Sequence, residues 1–433
     1  MFAVTIEKVV YGGRGMGRVN GKVVFVPFTA PGDRVRVEVV KEKRDYLEAA
    51  LKAIDRKSAW RIEPFCRLFG RCGGCHLQHL RYPEQIRIKE RALKESLRHL
   101  NRDGALELFP AIPSPRDREY RVRSQLKAGW IGGRKVLGFF GLRTHRLVEV
   151  KECPLLHPPA NEILDGLQKW LGREKREVFI QGVNLQVSPD EEKGIITLRA
   201  EGKGASRLTE EILQKIPAIK GVVVQGKRKT YYGDCTLLYQ GPKIFANKAL
   251  LFRANDDSFF QVNPYQNWNL IRQVVEWANL SGREKVVDFY CGAGNLTLPL
   301  AQRALKVWGV DRDRKAIEKA KENGRENGLA NCTFLTAPAD AGILDLRRES
   351  DSIDLAVLDP PRAGAKAVLD FLPLLHPQKI IYVSCEPPTL VRDLTRLEKI
   401  GYRINRIQPL DMFPQTYHLE VIAELIIKTG PRE

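Results

Sequence analysis

No run of 18 or more apolar residues occurs in the chain, which argues against a helical membrane span. The opening residues, Met1-Phe2-Ala3-Val4-Thr5-Ile6-Glu7, lack a basic stretch followed by an apolar one, so no secretory signal is visible. Internal repeats and low-complexity tracts are missing too, which excludes solenoids and disordered linkers. Eight cysteines without a signal do not read as a disulfide framework. What remains is a globular, cytoplasmic enzyme as the default. Its 433 residues are 43% hydrophobic, enough for two or three domains with proper cores.

Charge is what the chain has in excess, and it is unevenly placed. The net charge is +19. Residues 1–150 hold 31 Lys and Arg against 16 Asp and Glu, so +15 lies there and +4 in the remaining 283 residues. A basic N-terminal third joined to a nearly neutral remainder suggests a nucleic-acid-gripping module attached to a second unit.

Residues 1–57 read as short strands with turn punctuation. Strands are expected at 4–10, 21–27 and 34–39, with a glycine cluster at 12–18 and a turn at Pro31-Gly32-Asp33. Such spacing predicts a small barrel of the oligonucleotide-binding type, with alternate basic residues on one face. Residues 58–255 predict an α+β domain. There Pro83 opens a helix to about Leu100, with Ile86, Leu93, Leu97 and Leu100 on one face, and strands fall at 182–187 and 194–198. Residues 256–433 alternate strands (285–290, 306–310, 353–358, 379–384, 419–427) with helices (from 296, and 314–327). This predicts an α/β fold with a doubly wound, mainly parallel sheet.

The sharpest local signal is Val286-Val287-Asp288-Phe289-Tyr290-Cys291-Gly292-Ala293-Gly294-Asn295, an apolar strand running into a glycine turn. Gly292 and Gly294 allow a ligand close to the backbone, with Asn295 completing the loop. Asp311, 19 residues after Gly292, ends the next strand and can accept both ribose hydroxyls of an adenosine. Thr297 stands where a dinucleotide fingerprint has its third glycine, so an adenosine carrying a sulfonium fits better than a pyrophosphate. Asp340 is placed to meet the adenine amino group or to be a solvated loop carboxylate.

Three further segments follow apolar strands or lead into one. Leu358-Asp359-Pro360-Pro361-Arg362 is a stiff turn that holds Asp359 toward the ligand crevice. Val383-Ser384-Cys385-Glu386-Pro387 puts a cysteine at a strand tip, and the stretch 413–420 puts Glu420 at the start of a late strand. This set suits methylation at carbon 5 of uracil. A thiolate attacking carbon 6 makes carbon 5 nucleophilic toward a sulfonium methyl, and a base must then remove the carbon 5 proton before the thiol leaves. Cys385 is the candidate nucleophile and Glu420 the candidate base. Two rival chemistries lack their marks. Cytosine-5 methylation would place a cysteine after the proline, where Pro361-Arg362 stands, and exocyclic amine methylation an Asn-Pro-Pro-aromatic turn.

Cys66, Cys72 and Cys75 cluster in a glycine-containing loop, and Cys153 precedes Pro154. Four thiolates so spaced suit a [4Fe–4S] cluster or a four-cysteine zinc site. Cys235, Cys291 and Cys332 read as small buried residues. Arg121 and Arg123 share a strand face, either solvated or against RNA. A uracil flipped out of folded RNA needs stacking partners, for which Phe259, Phe260 and Tyr265 are candidates.

With these segments together, the chain resembles the RNA 5-methyluridine methyltransferase family, in the branch with a TRAM barrel and an iron–sulfur cluster, as in bacterial 23S ribosomal RNA uracil-5 enzymes. The resemblance covers essentially the whole chain through segments 12–18, the cysteine set, 258–263, 288–295, 359–362, 384–388 and 412–420. It implies a TRAM (OB-like) barrel at 1–57, a central domain with a cluster at 58–255, and a Rossmann-like methyltransferase domain at 256–433. It also implies that Gln261, Tyr290, Asp311 and Asp359 bind S-adenosylmethionine, that Cys385 is the nucleophile and Glu420 the base, and that Cys66, Cys72, Cys75 and Cys153 hold a [4Fe–4S] cluster. The expected partner is structured RNA, foremost 23S ribosomal RNA with transfer RNA as the alternative, and the expected state is a monomer. A non-catalytic RNA-binding or assembly factor is the rival from another class, and intact Cys385 and Glu420 speak against it.

Overall fold

The computed structural model describes residues 1–100, 106–173, 179–201, 205–244, 249–350 and 352–428. The N-terminal strands Phe2–Val10, Arg14–Val19, Lys22–Pro27, Arg34–Glu42 and Tyr46–Arg56 close into a five-stranded barrel. Alternation explains it: Val35 and Val37 point inward while Arg34 and Arg36 point out. The glycine cluster has a packing reason as well. A Cβ on Gly15 would fall 2.0 Å from the Thr29 hydroxyl, so the strand can cross there only without a side chain. The outward basic face is not wholly free, since Arg36 pairs with Asp55 and Lys22 with Glu42.

A seven-stranded sheet follows, ordered Lys229–Gly233, Ile219–Gln225, Lys193–Glu201, Phe179–Ser188, Arg123–Ile131, Arg134–Phe140, Leu147–Glu149. Ile163, Leu167 and Trp170 of helix Pro158–Arg173 bury against Leu185, Ile196 and Val222 of this sheet.

The C-terminal sheet has eight strands, ordered Cys332–Thr336, Lys306–Asp311, Lys285–Phe289, Leu355–Leu358, Lys379–Ser384, Glu420–Ile427, Tyr402–Leu410, Glu107–Leu108. The first five run parallel, and Glu420–Ile427 inserts antiparallel. Strand order reverses between Lys285–Phe289 and Leu355–Leu358, which opens a crevice at their carboxyl ends. Two apolar clusters fill the faces of the sheet, one around Phe289, Leu358 and Tyr382, the other around Val286, Leu355 and Ile381.

The helix expected from Pro83 is observed as Tyr82–Ser96, continuing into a short tight turn at Leu97–His99. Leu93 and Leu97 are buried as expected, but Ile88 replaces Ile86 on the buried face. The stripe is shifted because the polar Gln85 and Lys89 are buried beside Ile88. The Lys89 ammonium donates to Asp411 at 2.6 Å, with both side chains essentially inaccessible. Leu93 and Leu97 join the core of the C-terminal sheet, and Glu107–Leu108 extends its edge. The barrel strands Arg14–Val19, within the expected glycine cluster, and Tyr46–Arg56, and the sheet strands Cys332–Thr336 and Tyr402–Leu410, are additions to the expected elements. No described helix is long and apolar enough to cross a membrane.

Candidate active site

Strand Lys285–Phe289 ends at Tyr290, whose φ of 64° is left-handed. For a bulky residue this costs about 1–3 kcal/mol. The conformation is held by its amide, which donates to the Val310 carbonyl at 2.8 Å. Gly292 (φ 54°) and Gly294 (φ 94°) follow. A Cβ on Gly292 would meet nothing within 4 Å, so the turn is open above it, whereas one on Gly294 would press on Leu298 at 3.1 Å.

The Gly292 amide donates to Asp311 at 3.0 Å, and the other Asp311 oxygen accepts from the Asp313 amide at 2.9 Å. Asp311 is thereby fixed across the turn with lone pairs to spare. Asp340 lies in the first turn of helix Ala339–Glu349. Burial, with Asp340 next in weight, pushes the Tyr290 phenol up to about 12. Gln261 is buried just before helix Pro264–Ala278. Asn295 exchanges hydrogen bonds with Asn267 of that helix at 2.8 and 3.0 Å, so its amide braces the turn.

Asp288 is a site residue that sequence reading left without a role. Thr297, in the place of the third glycine, donates to it at 2.5 Å. The other Asp288 oxygen is buried with no partner among the described residues. Burial pushes this carboxyl up to about 7. Asp311, held across the open turn at Gly292, is the carboxylate placed to accept from a ligand rich in hydrogen-bond donors, as S-adenosylmethionine is.

The reactive groups stand on the neighbouring strand tips. Ser384 pairs with Val421 in antiparallel register, and Cys385 and Glu420 are the next residues along the two chains. Leu358 pairs with Tyr382, so Asp359 leaves the sheet at the same end. Cys385 is half-buried and Glu420 is buried. Burial first, then the Glu420 charge, pushes the Cys385 thiol up to about 12, with Arg362 pulling the other way. Burial and Asp359 hold the Glu420 carboxyl well above the carboxylate range, again with Arg362 opposing. Burial raises Asp359 to about 7. These mutual effects place Cys385, Glu420, Asp359 and Arg362 in one site. Arg362 was quoted in its segment without a role.

Beside this site lies a cleft of about 780 Å³, lined by Cys66, Cys72, Cys75 and Cys153 on one side. Arg121, Arg123, Phe259 and Arg362 also line it. The thiols of Cys72, Cys75 and Cys153 are raised by burial first and then by neighbouring cysteines, Cys75 to about 12. All eight cysteines are free of disulfides. The expected ligand set is gathered around this cleft, but among the described residues no group of three or more His, Cys, Asp or Glu side chains is arranged to hold a metal ion. The physical reason is local satisfaction. Cys72 bonds toward Gly74, Cys75 toward Gln78 and Cys153 toward the amides of Leu155 and Leu156.

The aromatic candidates divide. Phe259 is exposed, with Arg123 5.7 Å from its ring centre. Phe260 is buried and stacks on Tyr239 at 4.0 Å, so it belongs to the core and cannot stack on a base. Tyr265 sits under Arg116 and bonds His157.

Two family models match the chain: tRNA (Uracil-5-)-methyltransferase over residues 243–428 and TRAM domain over residues 2–52. An uncharacterized RNA methyltransferase of Caldanaerobacter subterraneus subsp. tengcongensis is 34% identical across 98% of this chain and 97% of its own length. The chain belongs to the RNA uracil-5-methyltransferase family that carries a TRAM domain. A second such relative, from Halalkalibacterium halodurans, is also 34% identical, over 98% of this chain and 96% of its own. Among solved structures, the tRNA (uracil-54, C5)-methyltransferase of Pyrococcus abyssi in complex with S-adenosyl-L-homocysteine superposes with a TM-score of 0.74. It is 27% identical, and the match covers 98% of this chain and all of that one. This RNA uracil-5-methyltransferase is therefore an S-adenosylmethionine-dependent enzyme whose barrel is a TRAM domain.

Proposed function

We propose that this enzyme methylates carbon 5 of a uridine in 23S ribosomal RNA through a covalent bond between Cys385 and carbon 6 of the base. The observation that supports the mechanism is the register of the last strands, which pairs Ser384 with Val421, the neighbours of Cys385 and Glu420. The Cys385 sulfur adds to carbon 6, and the electrons displaced make carbon 5 attack the sulfonium methyl. S-adenosylhomocysteine is released. Glu420, as carboxylate, takes the carbon 5 proton, and the carbon–sulfur bond breaks to return the thiolate. Arg362 favours both the thiolate and the carboxylate form. We assign the donor to Gln261, Tyr290, Gly292, Gly294, Asn295, Asp311, Asp340 and Asp359, with Asp288 bracing the turn from beneath through Thr297.

Cys66, Cys72, Cys75 and Cys153 are proposed to hold a [4Fe–4S] cluster that organises the RNA cleft. Four thiols on one cleft support this. We further propose that the enzyme acts as a monomer in the cytoplasm. Transfer RNA is the second substrate reading, favoured by the likeness to the Pyrococcus enzyme. Mapping 5-methyluridine in ribosomal and transfer RNA, with and without the gene, decides between them. A host whose ribosomal RNA keeps every 5-methyluridine after the deletion removes the ribosomal assignment. Anaerobic purification with iron and zinc analysis tests the cluster, and a preparation holding neither metal ends it.

A further inference from the structure

One turn of the TRAM barrel reaches into the catalytic region. Tyr11, between the first two strands, donates its hydroxyl to Glu386 at 2.5 Å, and Glu386 directly follows Cys385. The Tyr11 ring meets Tyr417 edge-on at 5.4 Å, three residues before Glu420. Two residues further, Gly13 (φ 74°) runs so close that a Cβ there would stand 3.1 Å from His76 and 3.5 Å from Tyr417. The turn 11–13 thus touches the tips that carry both reactive groups, across 375 residues of sequence.

We propose that Tyr11 is a positioning residue for methyl transfer, which acts through Glu386 to couple the seating of the RNA-binding barrel to the reactivity of Cys385. This rests on the reading of Cys385 as nucleophile. The groups around Cys385 are Glu420 from the adjoining strand, Asp359 and Arg362 from the proline turn, and Glu386 from its own tip. Three of the four are acids that disfavour the thiolate, and only Glu386 is held by a group from the barrel. With the Tyr11 hydroxyl in place, the Glu386 carboxylate is drawn toward the barrel and part of its charge is taken up by a short hydrogen bond. A barrel displaced from its seat releases that carboxylate beside the thiol. Methyl transfer is then favoured only when the barrel is docked.

The test uses the full-length enzyme with Tyr11→Phe, Glu386→Gln and the double variant. Cys385 alkylation by iodoacetamide is followed against pH by peptide mass spectrometry, and kcat and KM are measured on unmethylated bulk RNA. Tyr11→Phe keeps the ring and is expected to lower kcat about ten-fold, with KM for RNA changed less than about two-fold. It should also move the alkylation profile up by about half a pH unit. Glu386→Gln should move the profile down, and Tyr11→Phe should add nothing in that background. An unmoved profile in Tyr11→Phe, an effect on KM alone, equal shifts in both backgrounds, or no downward shift in Glu386→Gln overturns the proposal. If Cys385→Ala still transfers methyl groups, the nucleophile reading fails, while the alkylation profiles report on Tyr11 regardless.

Discussion

The strand-tip site and the cysteine-lined cleft share Arg362 near their border, yet they are built differently. Cys385, Asp359 and Glu420 leave adjacent strands whose pairing leaves no freedom of placement. Cys66, Cys72, Cys75 and Cys153 lie on loops, and the thiols of Cys72, Cys75 and Cys153 bond to groups a few residues away. Groups held by register are brought together by folding alone. Groups held by loops can face the same space and still satisfy themselves locally. The loop side is nonetheless tied to the strand side. The Gln415 carbonyl accepts the amides of His76 and Leu77 at 2.9 and 3.0 Å, and the Gln85 and Gln415 side chains bond at 2.9 Å.

The largest expected effect breaks the strand-tip side. Cys385→Ala should lower methyl transfer from labelled donor by about 10⁴-fold or more, because the covalent route is lost. Unchanged transfer would remove the mechanism. Glu420→Gln should lower turnover by roughly 10³-fold while an RNA–protein adduct accumulates on denaturing gels, since addition proceeds but proton removal does not. Loss of turnover without any adduct would assign Glu420 to binding instead.

Between the two regions stands the buried pair of Lys89 and Asp411, which pins the segment leading to Glu420. Lys89→Met should cost about 3–5 kcal/mol in urea unfolding by leaving a buried charge unpaired. A cost under about 1 kcal/mol would mean that the segment holds itself.

pH offers a smaller and subtler test. Asp359 is raised from 3.8 to about 7 and Glu420 is raised with it, so the folded enzyme keeps protons that the unfolded chain would release. The stability this contributes is complete below pH 3.8 and is lost as pH rises through about 7. Turnover should move oppositely, rising with pH as the raised Glu420 carboxyl ionises. Asp359→Asn should flatten the melting-temperature trend over pH 5–8 by roughly 2–4 °C. A variant melting with the wild-type pH slope would place the titration elsewhere. On the cleft side, Cys72→Ser should remove bound metal and reduce turnover only several-fold, far less than Cys385→Ala; equal losses would make the cleft part of the chemistry.

Local pattern was enough for three of the five barrel strands, the glycine turn and the strand-tip cysteine. Each is announced by residues a few positions apart: Val35 and Val37 in alternation, Gly292 and Gly294 after an apolar run, Cys385 after Val383. It misread Ile86 and Phe260. In both cases the deciding neighbour, Asp411 for the helix stripe and Tyr239 for the ring, comes from a distant segment. The role of Asp288 beneath the turn was not legible because its bond to Thr297 forms only once the turn has folded.

The sequence by itself determined which groups the chain could bring to chemistry and that their strands would end at one edge, because periodicity and turn residues act over a handful of positions. Only the tertiary structure decided that Glu420 faces Cys385, that Arg362 attends both, and that a barrel tyrosine grips the next residue along. Strand pairing and domain seating join segments hundreds of residues apart, and no local preference encodes such a partner.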